Sequence, residues 1–139
     1  MLEGTTFGKT VDLLQRSMDV SVLRYNVTAN NIANAEVPNF KRSEINFESS
    51  LKRALDSEGA RPRIELATSD AGHIASFKQT DWRDVRPRRV LDYLSTSKNN
   101  GNNVDAEQEF MASMTNQLRY TLMTQAAAFE FNQVRLVLR

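Results

Sequence analysis

Apolar and small residues recur at Phe7, Val11, Leu14, Met18, Ser21, Tyr25, Thr28, Ile32 and Ala35, in steps alternating four and three. That spacing is a heptad seam on a helix. Leu13, Val20, Val22, Leu23 and Val27 widen the stripe beyond a two-stranded seam. The pattern predicts a helix over 5–36, capped by Thr5 or Thr6. Pro38 ends it, because proline has no N–H to continue the ladder and pushes Val37 toward an extended backbone.

Residues 37–104 are expected to form a connector. Within it, Phe47, Leu51 and Leu55 at i, i+4, i+8 predict a short helix over 47–57, with Asn46 as its cap and Glu58-Gly59-Ala60-Arg61-Pro62 as its end. Residues 41–46 are expected as a plain link. Ile64-Glu65-Leu66 and His73–Phe77 are the expected strands, and Gly72, Pro87 and the Ser/Asn run over 95–103 the expected turns.

A second long helix is predicted over 105–138. Asp105 with Gln108 three residues later has capping-box spacing, and Glu107 and Glu109 place negative charge at the helix's positive end. One stripe of this helix carries Met111, Met114, Leu118, Leu122, Ala126 and Phe129. Another carries Tyr120, Met123, Ala127, Val134 and Leu138. Two stripes are more apolar surface than one partner helix covers. The expected fold is all-α and a single domain, 1–139. Its two long terminal helices pack antiparallel like a coiled coil, with Leu14, Met18 and Tyr25 facing Leu118, Leu122 and Phe129, a short third helix and a loop-rich or weakly β middle.

Composition narrows the chemistry. Hydrophobic content is 40%, enough for a modest core in 139 residues. There is no cysteine and one histidine, His73, so thiolate metal sites are excluded and a catalytic role for histidine has no neighbouring cluster to support it. No phosphate-cradling glycine loop and no nucleophile elbow occurs. No cofactor is expected. The Met residues at 111, 114 and 123 suit adaptable core or interface filler. The net charge of +1 gives no pull toward nucleic acid or anionic membrane. Arg83-Asp84-Val85-Arg86-Pro87-Arg88-Arg89 is the densest basic run, but only Trp82 lies near it for base stacking. A solvated or salt-bridging segment is the expected role. No apolar run approaches the ~20 residues of a membrane-spanning helix, and the first residues lack the pattern of a cleaved signal peptide.

Two asparagine-rich stretches stand out. Thr28-Ala29-Asn30-Asn31-Ile32-Ala33-Asn34-Ala35 is followed by Pro38, Phe40 and Lys41. Asn99-Asn100-Gly101-Asn102-Asn103-Val104-Asp105 precedes the second long helix. Asparagine is a mediocre helix former, because its amide competes for backbone groups. Amides among alanines suit a closely packed multi-helix contact, where buried amides fix register. A frayed helix end is the alternative account of the first cluster.

The first stretch resembles the N-terminal signature of bacterial flagellar rod, hook and hook-associated axial proteins, whose common form is A-N-N-I-A-N-A-N-T-P-G-[FY]-K. Glu36 and Val37 replace the usual Asn-Thr, and Asn39 replaces Gly; asparagine also tolerates the left-handed turn that the glycine provides. Gly101–Asp105, Glu109 and Asn116-Gln117-Leu118-Arg119-Tyr120 are similar to the proximal rod proteins of the FlgB kind. The resemblance implies a non-enzymatic structural subunit of the flagellar basal body, exported unfolded by the flagellar type III apparatus without a cleaved signal and stacked in the rod of the periplasmic space. It implies an axial core of terminal helices and an assembly interface at Asn30, Asn31, Ile32, Asn34, Pro38, Phe40, Asn102, Asn103, Val104, Asp105, Gln117, Leu118 and Tyr120. The implied partners are other copies of the chain, other rod proteins, rod-base adaptor and membrane-ring proteins, and the export apparatus, with no nucleic acid and no small-molecule substrate. Asn31→Leu or Asn34→Leu is then expected to spare export and impair stacking. A cytosolic helical adaptor is the competing class, and an enzyme a remote third.

Overall fold

The computed structural model describes residues 5–59, 70, 72, 80–96 and 98–138. In chain order it contains α1 (Thr6–Ala33), β1 (Ser43–Asn46), α2 (Glu48–Glu58), a single 3-10 turn (Trp82–Asp84), β2 (Arg88–Leu91) and α3 (Ala106–Val137). The expected strands at 64–66 and 73–77, and His73 with them, lie outside the described residues. The strands that are seen fall elsewhere. Residues 41–46, expected as a link, supply β1, which pairs with β2 in a two-stranded sheet. β1 alternates buried and exposed residues over only four positions, and β2 is exposed along its whole length.

Two compact units emerge, residues 1–45 with 89–139, and residues 46–88. The first is built on α1 and α3. The Thr5 hydroxyl caps α1 by accepting from the Gly8 N–H at 3.1 Å. The Asp105 carboxylate caps α3, accepting from Glu107 and Gln108 N–H at 3.0 and 3.3 Å. Asn116 Nδ2 donates to Ser21 O at 2.8 Å, Asn31 Nδ2 donates to Glu109 Oε2 at 3.0 Å, and the Phe7 and Phe131 rings meet edge-on at 5.7 Å. Residue numbers rise on one helix as they fall on the other, so the helices are antiparallel, as the sequence predicts.

The faces that meet differ from the expected ones. The seam of α1 is Val20, Ser21, Val27, Thr28 and Asn31, whereas Tyr25 is 54% exposed. On α3 the buried residues are Glu109 and Asn116, and half-buried Ala112, Met123, Ala127, Glu130 and Val134 continue their line. Leu118, Leu122 and Phe129 are 60–64% exposed and do not face α1. Hydrophobicity alone selected the wrong stripe because the seam is partly polar: the amides and the carboxylate gain specific partners there, and Ser21 and Thr28 keep the helices close.

The second unit packs Phe47, Ala54, Trp82 and Val85 as its core. Phe47, not Asn46, occupies the N-cap of α2, and the Asn46 side-chain Oδ1 instead accepts from the Ser49 hydroxyl at 2.6 Å. The Ser57 hydroxyl meets both Thr80 O and Thr80 N–H at 3.3 Å, tying α2 to the segment before the 3-10 turn. Trp82 is 4% exposed and stacks under the Arg83 guanidinium at 5.0 Å. Its face is therefore engaged within the fold.

Candidate functional site

The end of α1, the loop before α3 and the start of α3 meet at a cluster of asparagine side chains. A helix stop must satisfy several orphan carbonyls and reverse the chain. Asn34 N–H donates to both Asn30 O and Asn31 O at 3.2 Å, Ala35 N–H to Ile32 O, and Val37 N–H to Asn34 O. Pro38 follows, and Asn39 then takes the left-handed conformation at φ 60°, in the position where the signature carries glycine. Gly101 sits at φ 79° directly against it. A Cβ there would lie 2.6 Å from Asn39 Oδ1, so two left-handed residues abut and only the second must be glycine.

Asn31 is fully buried. Its amide behaves like a short piece of strand. Nδ2 donates to Ser43 O at 2.8 Å, and Oδ1 accepts from Ser43 N–H at 3.2 Å. The same Nδ2 reaches Glu109 Oε2, so one side chain joins α1, β1 and α3. Glu109 is 1% exposed and pairs through its other oxygen with the Arg42 guanidinium, which also bonds Glu44. Burial opposes the Arg42 charge, but hydrogen bonds to Glu109 and Glu44 outweigh it and raise its pKa.

Asn102 and Asn103 do comparable work from the other side. Asn102 Nδ2 donates to Asn34 O and Val37 O at 2.9 and 2.8 Å, holding the helix stop, and its Oδ1 accepts from Val104 N–H. Asn103 completes the strand pair. Asp92 N–H donates directly to Arg42 O at 2.9 Å. The return bond is bridged instead: Arg42 N–H donates to Asn103 Oδ1 at 2.7 Å, and Asn103 Nδ2 donates to Asp92 O at 2.8 Å. The Asp92 carboxylate, held below its usual pKa by the Ser95 hydroxyl and amide, closes the adjoining turn. Lys98 Nζ donates to Ala35 O at 2.9 Å and pairs with Glu36 at 2.7 Å.

Of the residues expected at an assembly interface, the structure buries Asn31, Asn102, Asn103 and Val104 inside the subunit. Asn34 and Phe40 are half-buried. Asn30, Ile32, Pro38, Asp105, Gln117, Leu118 and Tyr120 remain on the surface. The bonds of the Asn31 amide run within its own chain. Sequence reasoning missed Arg42, Ser43 and Lys98. The signal for Arg42 was a buried acid at 109 needing a cation, and periodicity does not show that Glu109 faces inward.

This junction suits holding rather than chemistry. The cleft beside it, lined by Arg24, Val27, Thr28, Arg42, Glu109 and Ala112, has a volume of about 190 Å³, below the ~300–1,000 Å³ usual for small-molecule sites. Among the described residues no cluster of His, Asp or Glu is placed to hold a metal ion, and no helix is long and apolar enough to cross a membrane. The uncovered feature is one side of α3. Phe110, Met111, Met114, Leu118, Leu122 and Phe129 are each 54–64% exposed along it.

Residues 23–41 match the family described as flagella basal body rod protein, which covers the helix stop just described. The flagellar basal body rod protein FlgB of Borreliella burgdorferi is 44% identical over 133 residues, 96% of this chain and 98% of that protein. FlgB of Bacillus subtilis is 29% identical, covering 95% of each chain. FlgB of Escherichia coli K12 is 27% identical, covering 90% of this chain and 89% of its own. The chain belongs to the FlgB family and is a structural subunit of the flagellar basal-body rod, not an enzyme.

Proposed function

We propose that this subunit stacks into the proximal rod by burying the apolar side of α3 against neighbouring copies and other rod proteins, while the asparagine junction holds α1 and α3 in one register. The observation that carries this is the run of exposed large side chains on α3, continued by Leu136, Val137 and Leu138 at 69–85% exposure. A contiguous apolar side on a helix that already has one partner marks an interaction surface. The exposed signature residues Asn30, Ile32, Pro38, Asp105, Gln117, Leu118 and Tyr120 serve the same contacts. The buried ones, Asn31, Asn102, Asn103 and Val104, set the angle at which α1 and α3 are presented. Delivery by the flagellar type III apparatus suits a chain without disulfides whose helix pair has a partly polar seam. The rod-base adaptor and the membrane ring are the neighbours below.

Leu118→Glu and Leu122→Glu test the proposal. Each side chain points away from α1, so the purified variant keeps wild-type helicity. Each places a charge in a contact that excludes water, so the chain is lost from purified basal bodies and cells lose motility. Normal rods with both variants would overturn the α3 interface.

A further inference from the structure

Among the described residues the two-stranded sheet has one edge capped at Ser43 and one open edge. The Asp92-to-Arg42 bond fixes its register. Residues 42 and 92 are opposite each other just beyond the strands, which makes the strands antiparallel and sets Glu44 opposite Val90. In an antiparallel ladder alternate residues turn their N–H and C=O groups outward. On β1 the outward residues are Ser43 and Ile45; Asn31 occupies both backbone groups of Ser43, and the Ile45 side chain is buried. On β2 the outward residues are Arg89 and Leu91, and no described residue meets their backbone groups.

That open edge is flanked by apolar surface. Val90 is 47% exposed, Leu91 42%, Tyr93 70% and Leu94 99%. Proteins usually blunt such an edge with charge, proline or a cover, because it is a template for another strand. Here Pro87 and the arginines guard its start, and no described residue covers its second half. Arg89 reaches the Ser43 hydroxyl at 2.9 Å and forms no ion pair among the described residues.

We propose that the outer edge of β2 accepts an extended segment of a neighbouring rod subunit as a third strand, with a carboxylate facing Arg89 and apolar side chains against Leu91, Tyr93 and Leu94. The inference rests on the chain being a rod subunit and adds the partner's conformation and chemistry. An acidic, apolar strand satisfies the ladder, the charge and the apolar flank together. The β1 of a second copy does not serve, because Asn31 already occupies the Ser43 groups on its edge. A β2–β2 pairing would gather four arginines on one edge, which like-charge repulsion disfavours. The short strand suffices because α3 already tethers the neighbours, so the added contact forms at high effective concentration.

The test uses the full chain in cells that build basal bodies. Leu91→Pro removes one outward N–H and spares the bonds to β1. Leu94→Asp changes a side chain that touches nothing in the subunit and turns the apolar flank acidic. Both are expected to lower the chain recovered in purified basal bodies by about fivefold or more, with Leu94→Asp melting like wild type. A benzophenone side chain at position 94 should crosslink to an extended acidic segment of another rod protein. Wild-type recovery of Leu94→Asp, or a crosslink mapped to a helix or to this same chain, overturns the strand. Leu118→Glu run in parallel separates the cases: if it blocks incorporation while the edge variants do not, the strand alone fails, and if it does not, the α3 interface fails.

Discussion

Asn31 and Asn34 stand three positions apart in the same signature, and their burial predicts opposite outcomes. Asn31→Leu removes the partners of the Ser43 N–H and C=O and one partner of buried Glu109. Orphaned buried groups cost about 1–3 kcal/mol each, so the folded subunit should lose roughly 3 kcal/mol or more in a denaturant melt. Asn34 is half-buried and its amide only returns to Asn30 O. Asn34→Leu should stay within about 1 kcal/mol of wild type and act, if at all, on rod assembly. Arg42 supplies a second contrast. Arg42→Met alone strands the Glu109 carboxylate and should cost about 3–5 kcal/mol, whereas Arg42→Met with Glu109→Met should recover most of that, because a buried ion pair is replaceable by apolar packing. A double-mutant cycle by chemical denaturation checks both statements. The amides were legible in the sequence as residues needing a reason. Their partners were not, since Ser43, Arg42 and Asp92 become neighbours only when distant segments meet.

At the scale of elements, the three helices and the caps of α1 and α3 were legible, because helical period and capping chemistry are local, whereas the cap expected at Asn46 was displaced by one residue. The observed ends, Thr6–Ala33, Glu48–Glu58 and Ala106–Val137, lie within three residues of the predicted ones. The pairing face was not legible, because α3 carries apolar stripes on more than one side and its buried line includes a carboxylate and an amide. Cysteines at 21 and 116 should therefore form a disulfide readily in the folded subunit. Cysteines at 18 and 118 should not, since Leu118 faces outward. A gel-shift assay under mild oxidation distinguishes the two. Asn116 Oδ1 is buried without a hydrogen-bond partner, which offsets the Nδ2 bond to Ser21 O, so Asn116→Met should stay within about 1 kcal/mol of wild type. The short strands were missed for a different reason. They are held by side chains from elsewhere, Asn31 on one edge and Asn103 at one end, so little in their own sequence marks them.

For the whole molecule, the distribution of burial predicts where assembly adds order. From Gln117 to the end of α3 no residue is fully buried, whereas Glu109 and Asn116 anchor its first half. Amide hydrogen exchange in the dilute subunit should be fast over 128–137 and slow over 107–117, and the outer turns should become protected in isolated rods. Equal, strong protection along α3 in the monomer would argue against a helix completed by its neighbours. The Asn31–Glu109 bond has a kinetic consequence as well. Its partners are separated by 78 positions in the chain, and the Arg42–Asn103 bond spans 61. Neither helix can recruit the other through a tight turn, as happens in a helical hairpin. A large loop must close before the seam contributes anything. Helices whose contacts are this non-local fold slowly for their size. The topology itself therefore prolongs the interval in which the chain is extended, and that interval suits the proposed delivery of the chain through a narrow conduit.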